Sequence, residues 1–209
     1  MSIQNVNDLV TRGKAKLITA AVQETLDEGV AATDILSAMI DAMDVVGEKF
    51  KNNEIFVPEM LISAKAMKKG VEVLKPHLAT GAVGSMGKMI MGTVAGDLHD
   101  IGKNLVIMMI ESAGFEVIDL GVDVPVEKFI QTYEENPDTK IIGCSALLTT
   151  TMPALADTVA AINAAPWRGK VKVMVGGAPI TQEFADKIGA DAYTPDAASA
   201  AKAAKELVA

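Results

Sequence analysis

Asp97 and His99, two residues apart in Met91-Gly-Thr-Val-Ala-Gly-Asp-Leu-His-Asp-Ile-Gly-Lys-Asn-Leu105, have side-chain types and a spacing that suit chemistry. An imidazole offers a metal ligand or a base, and a carboxylate two residues earlier can fix its tautomer through the second ring nitrogen. Gly102, three residues after the histidine, lets the backbone come close to something bulky. The plainer alternative is a surface or packing histidine, and these residue types alone leave it open.

Position narrows the choice. The apolar, β-branched run from Met89 to Val94 predicts a strand that breaks at Gly96, and from Ile101 the spacing of Leu105, Val106, Met109 and Ile110 predicts a helix. Asp97 to Gly102 therefore fall on a loop leaving the C-terminal end of a strand, the edge at which open parallel α/β sheets bind ligands.

The elements that must hold this loop read as two domains. Residues 1–80 carry helical stripes: Val6, Leu9 and Val10, then Leu17, Ile18, Ala21, Val22 and Leu26 up to Gly29. Thr33 or Asp34 is the expected N-cap of a third helix with Ile35, Leu36, Met39, Ile40, Met43 and Val46 inward. Pro58 suits the first turn of a fourth, with Met60, Leu61, Ala64, Met67, Val71 and Leu74 inward. A four-helix bundle buries four such stripes. Residues 81–87 read as a linker whose glycines precede the next strand, so the dinucleotide fingerprint is not met. Over 88–209, strands are predicted near 89–95, 115–119, 140–145, 171–175 and 191–193, with helices near 101–113, 125–135, 152–164, 180–188 and 196–208. Five βα units with short connections predict an α/β fold with a flavodoxin- or Rossmann-like five-stranded parallel sheet.

Composition excludes several roles. The 209 residues are half apolar and carry a formal charge of −8, which argues against disorder and against a nucleic-acid surface. The start lacks a signal peptide and the longest apolar run is too short for a membrane, so a cytoplasmic protein is expected. The single cysteine, Cys144, sits in an apolar strand and reads as an inert buried thiol. A phosphoacceptor receiver domain needs an aspartate at the end of the third strand, where this chain has Gly143-Cys144-Ser145.

Asp97-x-His99-x-x-Gly102, followed by Ser145-Ala-Leu147 and Gly176-Gly177, resembles the three-part signature of cobalamin-binding domains whose cofactor has a displaced lower base. The resemblance runs along nearly the whole chain. It is strongest toward the small corrinoid proteins of microbial methyltransferase systems, which are similar to the cobalamin module of methionine synthase. It implies a helical cap domain followed by a cobalamin-binding domain, with His99 as the lower axial ligand of cobalt and Asp97 accepting a hydrogen bond from its other ring nitrogen. Thr151 falls where methionine synthase has the serine of a His-Asp-Ser relay; threonine keeps the hydroxyl and adds a methyl. Ser145 and Leu147 of the second motif would meet the cofactor, Ser145 holding the displaced base or tail. Thr149 would lie on the β face of the pocket, and Gly176 and Gly177 would leave room for the nucleotide tail. Phe50 and Val57 would belong to an apolar cap over the methyl-carrying face, one that shields it from water and moves aside for a partner.

The function implied is a methyl carrier rather than a complete enzyme, with no residue assigned a catalytic role. The implied partners are a substrate-specific methyltransferase, a second methyltransferase acting on tetrahydrofolate, tetrahydromethanopterin or a thiol, and a reductive activating protein. Methylamines, glycine betaine and methoxylated aromatics remain open as donors. The small cobalamin-binding subunit of a B12-dependent isomerase is the alternative, since it would carry the same Asp-x-His-x-x-Gly domain without the Phe50/Val57 cap.

Overall fold

Apolar stripes of helical period over the first part of the chain and strand–helix alternation over the rest divide it into two units, Met1–Ser85 with Ser112–Gly114 and Met86–Glu111 with Phe115–Ala209. The computed structural model describes residues 3–78 and 86–209; the linker expected over 81–87 lies largely outside the described residues.

The first unit contains α1 (Ile3–Thr11), α2 (Ile18–Asp27), α3 (Ala32–Lys51) and α4 (Val57–Leu74). α1 packs on α3, and α4 packs on both α2 and α3. Val6, Val10, Ile18, Val22, Ile35, Met39, Met60 and Met67 are all buried, so the stripes do what their spacing predicts. Three details differ from expectation. Leu17 precedes α2 and is exposed, and Leu61 on α4 is also exposed. The cap of α3 is Ala31, in extended conformation, and neither Thr33 nor Asp34 takes that role. Asp34 instead lies in the first turn, where a carboxylate favours the helix dipole. At the head of α4 the backbone N–H of Phe56 donates to Glu59 Oε2 at 3.1 Å, and Pro58 occupies the first turn, where no amide is missed.

The second unit alternates β1 (Gly87–Thr93), α5 (Ile101–Ser112), β2 (Phe115–Asp119), α6 (Val126–Glu135), β3 (Thr139–Ser145), α7 (Met152–Ala164), β4 (Lys172–Gly176), α8 (Gln182–Ile188), β5 (Ala192–Tyr193) and α9 (Ala197–Val208). The five strands form one parallel sheet in the order β2-β1-β3-β4-β5. The chain steps from β1 to β2 on one side and then builds outward from β3 on the other. The reversal opens a crevice at the C-terminal ends of β1 and β3.

Ile90, Ile142 and Val173 of the strands pack with Phe129 and Tyr133 of α6 and with Leu155, Val159 and Ile162 of α7. Gly92 permits this. A Cβ there would lie 2.8 Å from the Phe129 ring, so only a bare backbone in β1 admits the aromatic. Burying that ring contributes about 1.5–3 kcal/mol.

Candidate functional site

β1 and β3 run in register with Thr93 beside Ser145 at their C-terminal ends, and the two hydroxyls are 2.9 Å apart. Thr93 also lies 3.0 Å from the His99 carbonyl, to which its Oγ1 donates. A hydroxyl has one proton, so with Thr93 committed to that carbonyl, Ser145 donates to Thr93. After Thr93 the chain turns at Gly96, whose φ of +80° is left-handed, and returns Asp97 to the end of the sheet.

Asp97 is fully buried, and each of its carboxylate oxygens is engaged. Oδ1 lies 2.7 Å from His99 Nδ1 and accepts from the His99 backbone N–H at 3.1 Å. Oδ2 accepts from the Leu147 amide at 2.7 Å and from the Thr151 hydroxyl at 2.8 Å. Burial opposes ionisation of this carboxyl, but the Leu147 amide, the His99 ring, the Thr151 hydroxyl and the His99 amide together outweigh it and hold the group well below the usual carboxylate range. Because Asp97 is an acceptor only, Nδ1 carries a proton, and in the neutral ring Nε2 is then the nitrogen with the free lone pair. The His99 side chain is 49% exposed, and Nε2 has no hydrogen-bond partner among the described residues.

Thr151 occupies the N-cap position of α7 without capping it. Its hydroxyl donates to Asp97 Oδ2 instead, with the Leu148 carbonyl 3.0 Å away, so the helix start that N-cap chemistry anticipates here is built to hold a carboxylate. Pro153 does sit in the first turn of α7. Thr149 opens a short 3₁₀ turn and is exposed. Leu147 contributes its amide to Asp97 and leaves its side chain outside.

Gly177 has φ +132°, and a Cβ on it would collide with the Ala146 carbonyl, so the loop after β4 lies flat against the loop after β3 only with glycine here. The Gly176 carbonyl accepts from the Ala146 amide at 3.1 Å. At Gly102 a Cβ would meet nothing within 4 Å, so the space beside it is open. The structure thus brings His99, Asp97, Leu147 and Thr151 into direct contact, adds Ser145 through Thr93, and sets Gly176 and Gly177 against Ala146. Phe50, half-buried near the end of α3, and Val57, exposed at the start of α4, belong to the first unit.

Several residues escape a reading of the sequence alone. Thr93 is one; it reads as an ordinary strand residue until its register with Ser145 is known. Lys103 is another: its buried Nζ donates to Asp119 Oδ1 at 2.6 Å and to Asn104 Oδ1 at 2.8 Å, tying the first turn of α5 to the end of β2. Asp119, at the end of β2, is the partner of that lysine. Leu98 and Ile101, 73% and 85% exposed, flank His99 in the chain, and Leu148 is exposed beside Leu147. The sequence shows that apolar residues flank the histidine, and the structure adds that they are left in water, the mark of a surface that meets another group.

Among the described residues no three metal-ligating side chains cluster. A metal held by His99 would therefore arrive with most of its coordination already filled. A corrin supplies four nitrogens to cobalt, can take one neutral donor from a protein, and calls for an apolar shelf and space for its tail. A single imidazole with a bare Nε2, exposed leucines and an isoleucine beside it, and a glycine loop of close approach fit that group.

Known proteins of similar sequence and structure also bind a corrin. B12 binding domain families match residues 87–205 and residues 3–75. Dimethylamine corrinoid protein 3 of Methanosarcina acetivorans is 42% identical over 206 residues, covering 99% of this chain and 96% of that protein. The crystal structure of a cobalamin-binding protein from Desulfitobacterium hafniense superposes with a TM-score of 0.85 at 30% identity, covering 100% of this chain and 99% of that one. A chain of the methanol:cobalamin methyltransferase complex of Methanosarcina barkeri superposes with a TM-score of 0.84 at 27% identity, covering 99% of this chain and 79% of that one.

The chain belongs to the B12-binding family, and cobalamin is its cofactor. Within that family it groups with the corrinoid proteins of methyltransferase systems.

Proposed function

We propose that this protein carries a methyl group on cobalamin from a methylamine-specific methyltransferase to a second methyltransferase, with the cofactor's own lower base displaced and His99 in its place. One observation carries the reading: a lone imidazole stands at the sheet crevice with Nδ1 held 2.7 Å from a fully buried carboxylate. When bound, cobalamin supplies a cobalt ion able to take up and give up a methyl group, which no side chain of this chain can do. His99 would hold that ion through Nε2. Asp97, by holding the Nδ1 proton, makes the imidazole a stronger donor and fixes the plane of its ring. The Leu147 amide and the Thr151 hydroxyl keep the carboxylate in place, so the ring is oriented before the cofactor arrives.

Around that bond the reading assigns Ser145 to the displaced base, Gly176 and Gly177 to the nucleotide tail, Gly102 and Leu147 to close contact with the cofactor, and Thr149 to the pocket's rim. In the helical unit it assigns Phe50 and Val57 to shielding the methyl-bearing face from water. The name of the Methanosarcina acetivorans relative favours dimethylamine as the donor. The second methyltransferase would pass the group to tetrahydrofolate, tetrahydromethanopterin or a thiol, and a reductive activating protein would restore cofactor that has become oxidised. A cytoplasmic location is in keeping with the absence, among the described residues, of any helix long and apolar enough to cross a membrane.

The test is a methylation assay. Protein reconstituted with hydroxocobalamin and reduced is mixed with a dimethylamine methyltransferase and dimethylamine, and the cofactor's absorption spectrum is followed. Methylation with dimethylamine, and its loss when the methyltransferase is omitted, is the expected result. No methylation from mono-, di- or trimethylamine, each offered with its own methyltransferase, would contradict the methylamine assignment.

A further inference from the structure

We propose that Asp123, in the loop between β2 and α6, is a positioning residue that clamps the Asp97 turn and thereby aims His99; the inference rests on the reading of His99 as the cobalt ligand. A single residue grips both ends of the Gly96–Asp97 pair. Asp123 Oδ1 accepts from the Gly96 amide at 2.7 Å, and the Asp123 amide donates to the Asp97 carbonyl at 2.9 Å. Within the turn, the Asp97 amide donates to Val94 O at 3.1 Å. The backbone of Asp97 thus has its N–H and C=O both committed, and its carboxylate has nowhere to move.

The gripping loop is itself fastened to the sheet. Thr93 N–H donates to Gly121 O at 3.0 Å, Val124 N–H donates to Thr93 O at 2.9 Å, and Val94 bridges Val124. Asp123 adopts φ +53°, a left-handed conformation that few residues other than glycine take and that aspartate and asparagine tolerate better than most. Strain of this kind persists where the surroundings hold it in place. Its carboxylate is on the exposed side of the loop, so core packing gives no reason for an acid here. The two hydrogen bonds to the Asp97 turn do. Second-layer groups that orient a metal-binding imidazole typically change affinity 10- to 100-fold when removed.

The experiment uses the full chain and cobinamide, a corrin that lacks the nucleotide base, reduced to the cobalt(II) state. Only a protein nitrogen can then split the electron paramagnetic resonance signal. Wild type and Asp123→Asn, which keeps the acceptor and tolerates the left-handed φ, are expected to show the same three-line nitrogen splitting and the same Kd. Asp123→Gly, which relieves φ but removes the acceptor, and Asp123→Ala are expected to bind about tenfold more weakly, with the splitting weakened or lost and the circular dichroism unchanged. Either truncation binding and splitting as wild type does would overturn the clamp. His99→Ala separates the two layers of inference. If it abolishes the splitting while Asp123→Gly and Asp123→Ala do nothing, the clamp alone is wrong; if it leaves the splitting intact, the ligand assignment falls and the clamp with it.

Discussion

His99 Nδ1 and Asp97 Oδ1 are 2.7 Å apart, and the other oxygen of that carboxylate is taken by the Leu147 amide and the Thr151 hydroxyl. The ring proton therefore faces an acceptor that cannot turn away. The coupling joins the loop after β1 to the loop after β3, and it sets the orientation of the imidazole.

Replacing Asp97 by Asn puts an amide N–H₂ against donors where an acceptor is needed. Each group left unsatisfied in a buried site costs about 1–3 kcal/mol, so Asp97→Asn is expected to lower the unfolding free energy of the cofactor-free protein by roughly 2–4 kcal/mol. Urea denaturation at pH 7 measures it.

The same carboxylate gives the protein a signature in acid. Its pKa in the folded state is depressed, so its stabilisation is fully present above the unfolded value of about 3.9 and is lost as the pH falls below it. The gap in stability between wild type and Asp97→Asn should shrink as the pH falls below about 4. A gap independent of pH down to the acid transition would show that the charge of Asp97 carries none of it.

Thr151 tests whether the hydroxyl or the shape of the side chain matters. Thr151→Ser keeps the donor to Asp97 Oδ2, whereas Thr151→Val keeps the shape and removes it. Valine is expected to cost about 1–3 kcal/mol and serine to cost less; equal losses would mean that packing of the methyl group decides the matter.

Cys144 is buried in β3, and burial pushes its thiol up to about 12. It should resist iodoacetamide at pH 8 in the native protein and react once urea unfolds the chain. Because the folded pKa is raised, this residue's contribution to stability is intact below the unfolded pKa of about 8.5 and declines as the pH rises from there toward 12. Rapid native labelling at pH 8 would show that β3 opens.

Much of this architecture was legible in the residues. Apolar runs gave strands within one or two residues of those observed, most plainly for β1, β3 and β4, which are buried along most of their length and have no polar alternation to obscure them. His99 and Asp97 stood out because an imidazole and a carboxylate share one loop. What stayed hidden depends on register and reach. Thr93 meets Ser145 only once β1 and β3 are aligned, and Lys103 reads as a surface helix residue until its reach to Asp119 is measured. The misjudged cap of α3 has a local cause: Thr33 and Asp34 are good capping types, but the helix begins before them, at Ala32.

The ligand bond itself can be read directly. Protein grown with ¹⁵N-histidine, loaded with cobalamin and reduced to cobalt(II), is compared with unlabelled protein by electron paramagnetic resonance. Each line should be a triplet in unlabelled protein and a doublet in labelled protein, because the axial nitrogen then comes from histidine. A triplet that survives labelling would place the cofactor's own base on the metal and contradict the account.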